Sequence, residues 1–126
     1  MWHGNISAEI ALGLKELRKR IEKAAIPSSS LDESINIATW NIREFGKRRR
    51  QEASVHYIAE ILNQFDLISI VEVRDNLTDL NRVLDILGPY WKVVFFDFAD
   101  VSSIEELKCN IEHNYIKNRP KSLWKF

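Results

Sequence analysis

The chain has 126 residues, 45% of them hydrophobic and 29% charged, and its 18 basic and 18 acidic residues give a formal net charge of zero. Such a chain has room for one domain with one hydrophobic core, and its composition is too apolar for a disordered protein. Because the net charge is zero, no overall field attracts nucleic acid or a membrane, and any electrostatic binding must be local.

Apolar residues recur at three- and four-residue spacing near the start of the chain, which predicts an amphipathic helix from Ile6 to Ala25. Pro27 and the three serines after it lower the helix propensity and indicate a linker. The predicted organisation is therefore a leading helix in residues 1–26, a linker in residues 27–34 and a domain in residues 35–126.

The domain opens with strands and a helix in alternation. Ile35–Ile42 is rich in β-branched and aromatic residues, which predicts a first strand that stops near Gly46, and the apolar residues of Val55–Phe65 follow helical spacing. Leu67–Val71 is a nearly continuous apolar run, typical of a strand that helices bury on both faces. A strand, a helix and a strand in this order predict a parallel, right-handed crossover.

Further elements are predicted downstream. A third helix has Asn76 as a candidate cap and ends at Gly88 and Pro89, and Trp91–Phe96 is apolar enough for a third strand. A closing helix is predicted from about Ser103 until Pro120 breaks it. The whole pattern is typical of an α/β fold with an extra leading helix.

Polar side chains cluster where the first two predicted strands end. They are Asn41, Arg43 and Glu44 on the first strand, and Glu72, Arg74 and Asp75 on the second. In α/β folds, ligands bind beyond the carboxyl ends of the parallel strands. A carboxylate directly after an apolar strand needs a partner, and magnesium accepts one or two protein carboxylates, with water and phosphate as its other ligands.

The residue pattern alone leaves two roles open for each of these groups. Glu72 either binds a metal or forms an ion pair with a nearby arginine. Asn41 either contacts a ligand or satisfies loop backbone groups. The basic run Lys47, Arg48, Arg49 and Arg50 either meets nucleic-acid phosphates or is a solvated loop whose charges balance nearby acids.

The remaining titratable residues do not enter the predicted site. His56 and His113 both fall in predicted helices, where an isolated histidine is commonplace. Cys109 is the single cysteine, so an intrachain disulfide is excluded and a reducing, cytoplasmic compartment is expected. Since no stretch approaches the roughly 20 apolar residues that span a bilayer, we expect no membrane partner.

Two stretches, in this order, resemble the endonuclease/exonuclease/phosphatase superfamily. Residues 35–46, INIATWNIREFG, are similar to its opening strand, and residues 66–75, DLISIVEVRD, are similar to its next strand. The Asn-Ile-Arg-x-Phe-Gly and Glu-Val-Arg-Asp forms are particularly similar to the deoxyribonuclease I branch. The resemblance implies the amino-terminal part of a deoxyribonuclease I-like α/β sandwich and is strongest over residues 35–97.

The same resemblance implies roles for individual residues. Asn41 becomes a phosphate or metal-shell ligand, Glu72 becomes the magnesium ligand, and both become catalytic. Arg43 and Arg74 correspond to DNA-contacting arginines, beside which the basic run of residues 47–50 lies. The catalytic histidine and aspartate groups that the family carries downstream have no counterpart here, so we expect an incomplete form.

These inferences lead to a magnesium-dependent phosphodiester hydrolase, an endonuclease-like enzyme acting on DNA. The competing interpretation is a non-catalytic nucleic-acid-binding or protein-interaction module of the same fold, which would bind without turnover. A complementary chain is a further expected partner, because half of a site is a poor catalyst. The binding module would instead expose a sheet face or edge that invites dimerisation. The leading helix, residues 6–25, either packs on its own domain or binds a partner.

Overall fold

The structure is a computed structural model that describes residues 1–29, 34–73 and 76–94, and for Glu72 it describes the main chain alone. Residues 1–88 form one compact unit, and residues 89–94 belong to a second. The elements are α1 (Ala8–Ala24), β1 (Ile37–Phe45), α2 (Glu52–Leu62), β2 (Leu67–Val73) and α3 (Thr78–Leu87). Helix and strand alternate as an α/β fold requires. In the described part of the chain, no helix has the length and apolar character needed to cross a membrane.

Helix α1 packs against α2. This agrees with the prediction that the leading helix packs on its own domain. Its start is capped by Ser7, whose Oγ accepts a hydrogen bond from the Ile10 amide at 3.2 Å. Ile10 and Leu14 are its buried residues. A Cβ atom at Gly13 would lie 1.8 Å from the hydroxyl oxygen of Tyr57, so the lack of a side chain there allows the two helices to approach.

Strands β1 and β2 form a parallel pair, joined through α2 as predicted. Burial alternates along β1, so that one face of the strand is covered and the other is open. On the open face, Ile37 is 62% exposed and Val71 of β2 is 39% exposed. The prediction that β2 is buried on both faces was therefore wrong for its described side chains. Its apolar run reflects strand propensity as well as burial.

Helix α3 packs on α2, and the two helices share the apolar core. Val55 and Ala59 of α2 and Val83 of α3 are fully buried. Asn76, the predicted cap, lies one residue before the N-cap position, which Leu77 occupies without a side-chain capping bond. Asn76 Oδ1 accepts a hydrogen bond from the Thr78 amide at 3.0 Å, which is an Asx-turn that leads into the helix. The helix ends before Gly88, whose φ of +96° suits glycine.

The predicted third strand, Trp91–Phe96, does not have strand structure over residues 91–94. Apolar side chains alone do not make a strand, since its backbone groups need a paired neighbour, and the described residues supply none for this segment. Residues 95–96 and the predicted closing helix lie outside the described residues.

Candidate active site at the strand carboxyl ends

The parallel pairing places the two principal predicted residues next to each other. The Cα of Asn41 is paired with that of Val71, the residue immediately before Glu72. Since paired strands lie about 4.8 Å apart, the main chains of Asn41 and Glu72 are adjacent at the carboxyl end of the sheet. Asn41 is exposed on the open face. The side chain of Glu72, and Arg74 altogether, lie outside what the structure describes, so their roles stay predictions.

The end of β1 is irregular, and the irregularity shapes the site. The register runs from Asn41 opposite Val71 to Phe45 opposite Val73, so β1 carries two more residues than β2 over this stretch. Glu44 has a φ of +50°, a left-handed conformation that costs a residue with a side chain about 1–2 kcal/mol. Such bulges re-aim side chains at strand ends, and here Arg43 lies exposed beside the turn.

A tight turn follows the bulge. The Lys47 amide donates a hydrogen bond to the Glu44 carbonyl oxygen at 3.0 Å, and Gly46 takes a φ of +93°. The Lys47 ammonium also forms an ion pair with the Glu44 carboxylate. Both side chains of this pair are largely solvated, which limits its contribution to about 0–1 kcal/mol. Lys47 thus has an acidic partner within the site.

The predicted basic run divides into two kinds of side chain. Arg48 and Arg49 are exposed, whereas Arg50 is half-buried. The guanidinium of Arg50 lies over the Phe45 ring, 5.5 Å from the ring centre, and its Nη2 donates to the Arg43 carbonyl oxygen at 2.6 Å. Arg50 therefore closes the loop that begins at Arg43.

Helix α3 holds the end of this loop through two charged side chains. Asp79 is 2% exposed, and its Oδ2 accepts a hydrogen bond from the Arg50 amide at 2.9 Å. Arg82 Nη1 donates both to Asp79 Oδ1, at 2.7 Å, and to the Arg50 carbonyl oxygen, at 3.0 Å. Arg82 also pairs with Glu52 through Nη2. We call Asp79, Arg82 and Glu52 the loop clamp.

Hydrogen bonds within the loop clamp favour the charged forms of Arg82 and Glu52. Burial acts to lower the pKa of Arg82, but its hydrogen bonds to Asp79 and Glu52 outweigh burial and hold that pKa above its ordinary value. The hydrogen bond from Arg82 is the main reason why the pKa of Glu52 is lowered. Arg82 and Glu52 are therefore both charged at neutral pH, and the attraction between them stabilises the clamp.

A second polar cluster, which the sequence did not predict, continues from the loop clamp. His56 Nε2 lies 3.3 Å from a Glu52 oxygen, and its Nδ1 lies 2.8 Å from His3 Nδ1. His3 Nε2 lies 2.8 Å from Glu60 Oε2, and Arg18 donates two hydrogen bonds to the Glu60 carboxylate. Burial is the main cause that lowers the pKa of His56, and the charge of His3 adds to it. The cluster ties the amino-terminal segment and α1 to α2.

The side chains predicted for the site carry oxygen atoms, the type of ligand that a hard cation prefers. Asn41 offers an amide oxygen and Glu72 a carboxylate, and magnesium favours both types of oxygen. In the part of the chain that the structure describes, no group of three or more histidine, cysteine, aspartate or glutamate side chains is placed to hold a metal ion. The Glu72 carboxylate lies outside that statement, and it is the group on which the magnesium prediction depends.

The chain is similar in part to deoxyribonuclease-1 from several mammals. It is 36% identical to human deoxyribonuclease-1 over 78 residues, which make up 60% of this chain and 27% of the human protein. It is 43% identical to the horse enzyme and 39% identical to the bovine enzyme over 57 residues, 44% of this chain and 20% of each relative. The matches thus span about a quarter or less of the length of these relatives.

Two other comparisons gave no match. No family model matches the chain, and no solved structure does. The α/β architecture with a small open parallel sheet is compatible with the fold that the resemblance implies. The partial similarity to deoxyribonuclease-1 indicates a relationship to this nuclease over a part of the chain.

Proposed function

We propose that the chain carries part of the active site of a magnesium-dependent phosphodiester hydrolase that acts on DNA. The observation that carries the proposal is the register of the parallel pair, which sets Asn41 beside the Glu72 main chain at the carboxyl end of the sheet. The partial similarity to deoxyribonuclease-1 supports the same chemistry and the same substrate class.

Each residue of the site has a distinct role in this proposal. Glu72 would hold the magnesium ion, and Asn41 would direct its amide at the phosphate or at a ligand of the metal. When bound, magnesium supplies positive charge that stabilises the phosphoryl oxygens. Arg43, Arg48 and Arg49 are exposed around the turn after β1, where cations attract and orient the DNA backbone.

The test is nicking of supercoiled plasmid by the purified chain, with magnesium and with a chelator. Wild type is expected to nick only with magnesium, and Glu72→Ala and Glu72→Gln should lose this activity by about 100-fold or more, as when a group that stabilises transition-state charge is removed. Glu9→Gln is the matched control, because it removes one carboxylate from the exposed first turn of α1. Circular dichroism would establish that every variant is folded.

The exposure of Arg48 and Arg49 also favours a second candidate function, binding of nucleic acid without hydrolysis. A mobility-shift titration with the same DNA separates the two. Salt-sensitive binding together with equal background nicking by wild type and Glu72→Ala would reject hydrolysis by this chain and support the binding module. Absence of both binding and nicking would reject both functions.

A further inference from the structure

The main chain of Arg50 is held from both sides by side chains of α3. Its amide donates to Asp79 and its carbonyl oxygen accepts from Arg82, and these partners lie 29 and 32 residues away in sequence. Contacts of this kind fix one end of the loop independently of the strand from which it starts. Fixing a residue's backbone in advance removes the entropic cost of ordering it when a ligand binds.

The side chain of Arg50 is half-buried and folds back onto its own loop. It reaches back to the Arg43 carbonyl oxygen and lies over the Phe45 ring, and its Nε is enclosed by protein with no hydrogen-bond partner in the part of the chain described. A guanidinium that grips an external phosphate must present its N–H groups to solvent. Arg48 and Arg49, by contrast, are exposed.

From these contacts we infer that Arg50 is a positioning residue and that Arg48 and Arg49 make the direct phosphate contacts of the basic loop. Arg50, held by Asp79 and Arg82, fixes the loop in the conformation that presents those two cations. The inference rests on the proposed binding of DNA and deepens it, because it assigns separate roles within one run of basic residues. It also assigns a role to an acidic residue, Asp79, in binding an anionic ligand.

The ordering of the loop by Asp79 can be separated from the effect of its negative charge, since the two predict opposite changes in DNA affinity for Asp79→Asn. If charge alone mattered, Asp79→Asn would remove a negative group near the loop and strengthen DNA binding. If Asp79 orders the loop, the same variant binds DNA more weakly, by roughly five- to thirty-fold for the ordering of one residue. Asp85→Asn, an exposed position on the same helix, is the matched control for charge and is expected to bind no more weakly than wild type.

Arg50→Lys tests the same inference at constant charge and without touching α3. A lysine loses the planar contact with Phe45 and the fork geometry, so DNA binding is expected to weaken by roughly five- to thirty-fold. The slope of log K against log salt should stay at the wild-type value, because no phosphate contact is lost. Arg48→Ala should instead reduce that slope by about 0.9, the value for one phosphate of duplex DNA. Arg20→Lys, exposed on α1, is the control.

Amide hydrogen exchange of residues 47–49, measured without DNA, tests the loop independently of the proposed function. Faster exchange in Arg50→Lys and Asp79→Asn, with no change in Arg20→Lys, is expected. Unchanged exchange in both variants would overturn the inference whether or not the chain binds DNA. If the wild type binds DNA, a reduced salt slope in Arg50→Lys would equally overturn it, since Arg50 would then be a direct contact. If exchange follows the expectation and wild type binds no DNA, the proposed function fails while the ordering of the loop stands.

Discussion

Replacement of Glu60 by glutamine is expected to lower the free energy of unfolding by about 2–3 kcal/mol at pH 7. Glu60 is 4% exposed, and its carboxylate accepts hydrogen bonds from Arg18 Nε at 2.7 Å, from Arg18 Nη2 at 3.1 Å and from His3 Nε2 at 2.8 Å. A glutamine keeps one acceptor oxygen but turns an NH₂ group toward one of these donors. The change therefore leaves a buried donor without an acceptor.

The magnitude follows from the burial of the two partners. The His3 and Glu60 side chains are both nearly enclosed, so the hydrogen bond between them belongs to the charge-assisted class worth about 1.5–3 kcal/mol. The Arg18 side chain is 56% exposed, which limits its contribution to about 0–1 kcal/mol. The sum is reduced because glutamine retains one oxygen. A loss of this size is a large part of the 5–15 kcal/mol that stabilises a typical domain.

The measurement is urea unfolding at pH 7. The free energies of unfolding of the two proteins are compared after it is established that both have the same slope of free energy against urea concentration. Glu16→Gln is the matched control, because Glu16 forms a 3.4 Å ion pair with Arg20 in which both side chains are largely exposed. It should cost no more than about 0.5 kcal/mol. A Glu60→Gln protein within 0.5 kcal/mol of wild type would refute the reasoning about burial.

The pH dependence of Glu60 has a definite sign. Burial acts to raise the pKa of Glu60, but its hydrogen bonds with Arg18 and His3 outweigh burial and hold that pKa below 4.5 in the folded state. The stabilisation is therefore fully present above about pH 4.5 and is lost as the pH falls through the lower, folded pKa. Glu60→Gln should remove this acid-side loss from the stability curve.

Two further predictions concern the contact between α1 and α2 and the buried histidine of α2. Gly13→Ala should destabilise the fold by about 1–3 kcal/mol, because the added Cβ clashes with Tyr57. In a Tyr57→Ala background the same change should stabilise the fold, because the clash is gone and the higher helix propensity of alanine remains. Thermal unfolding of wild type, the two single variants and the double variant measures both effects. Because burial lowers the pKa of His56 below 6.5, stability should be fully present above about pH 6.5 and fall as the pH drops toward the folded pKa. His56→Gln should flatten the curve in that window, and an unchanged slope would contradict the assignment.

The sequence predicted the elements better than their ends. Apolar spacing was enough for the helices, and Val55 and Ala59 of α2 are buried as the spacing requires. Strand β1 begins at Ile37, two residues after the predicted start, and ends at Phe45, next to the predicted stop near Gly46. Before that end, the left-handed backbone of Glu44 makes a bulge from which pairing resumes. A non-glycine residue in that conformation has no signature in a single sequence.

The candidate site was predictable where it follows from topology. Parallel strands end at one edge of a sheet, and this rule was enough to expect Asn41 near Glu72. The role of Arg50 was not predictable, because its partners are set by how α3 packs. The same holds for His3 and His56, which are 53 residues apart. No local pattern joins residues at such separations, and only the packed structure does.

The pairing of Asn41 with Val71 joins positions 30 residues apart, since 71 minus 41 is 30. Pairing at this separation has to overcome the entropy of closing the intervening loop, so it cannot form as an early local event. Helix α2 lies within that loop and shortens the flexible part that must be closed. The two halves of the candidate site therefore come together only when the sheet forms, so the site does not exist before this long-range pairing is made.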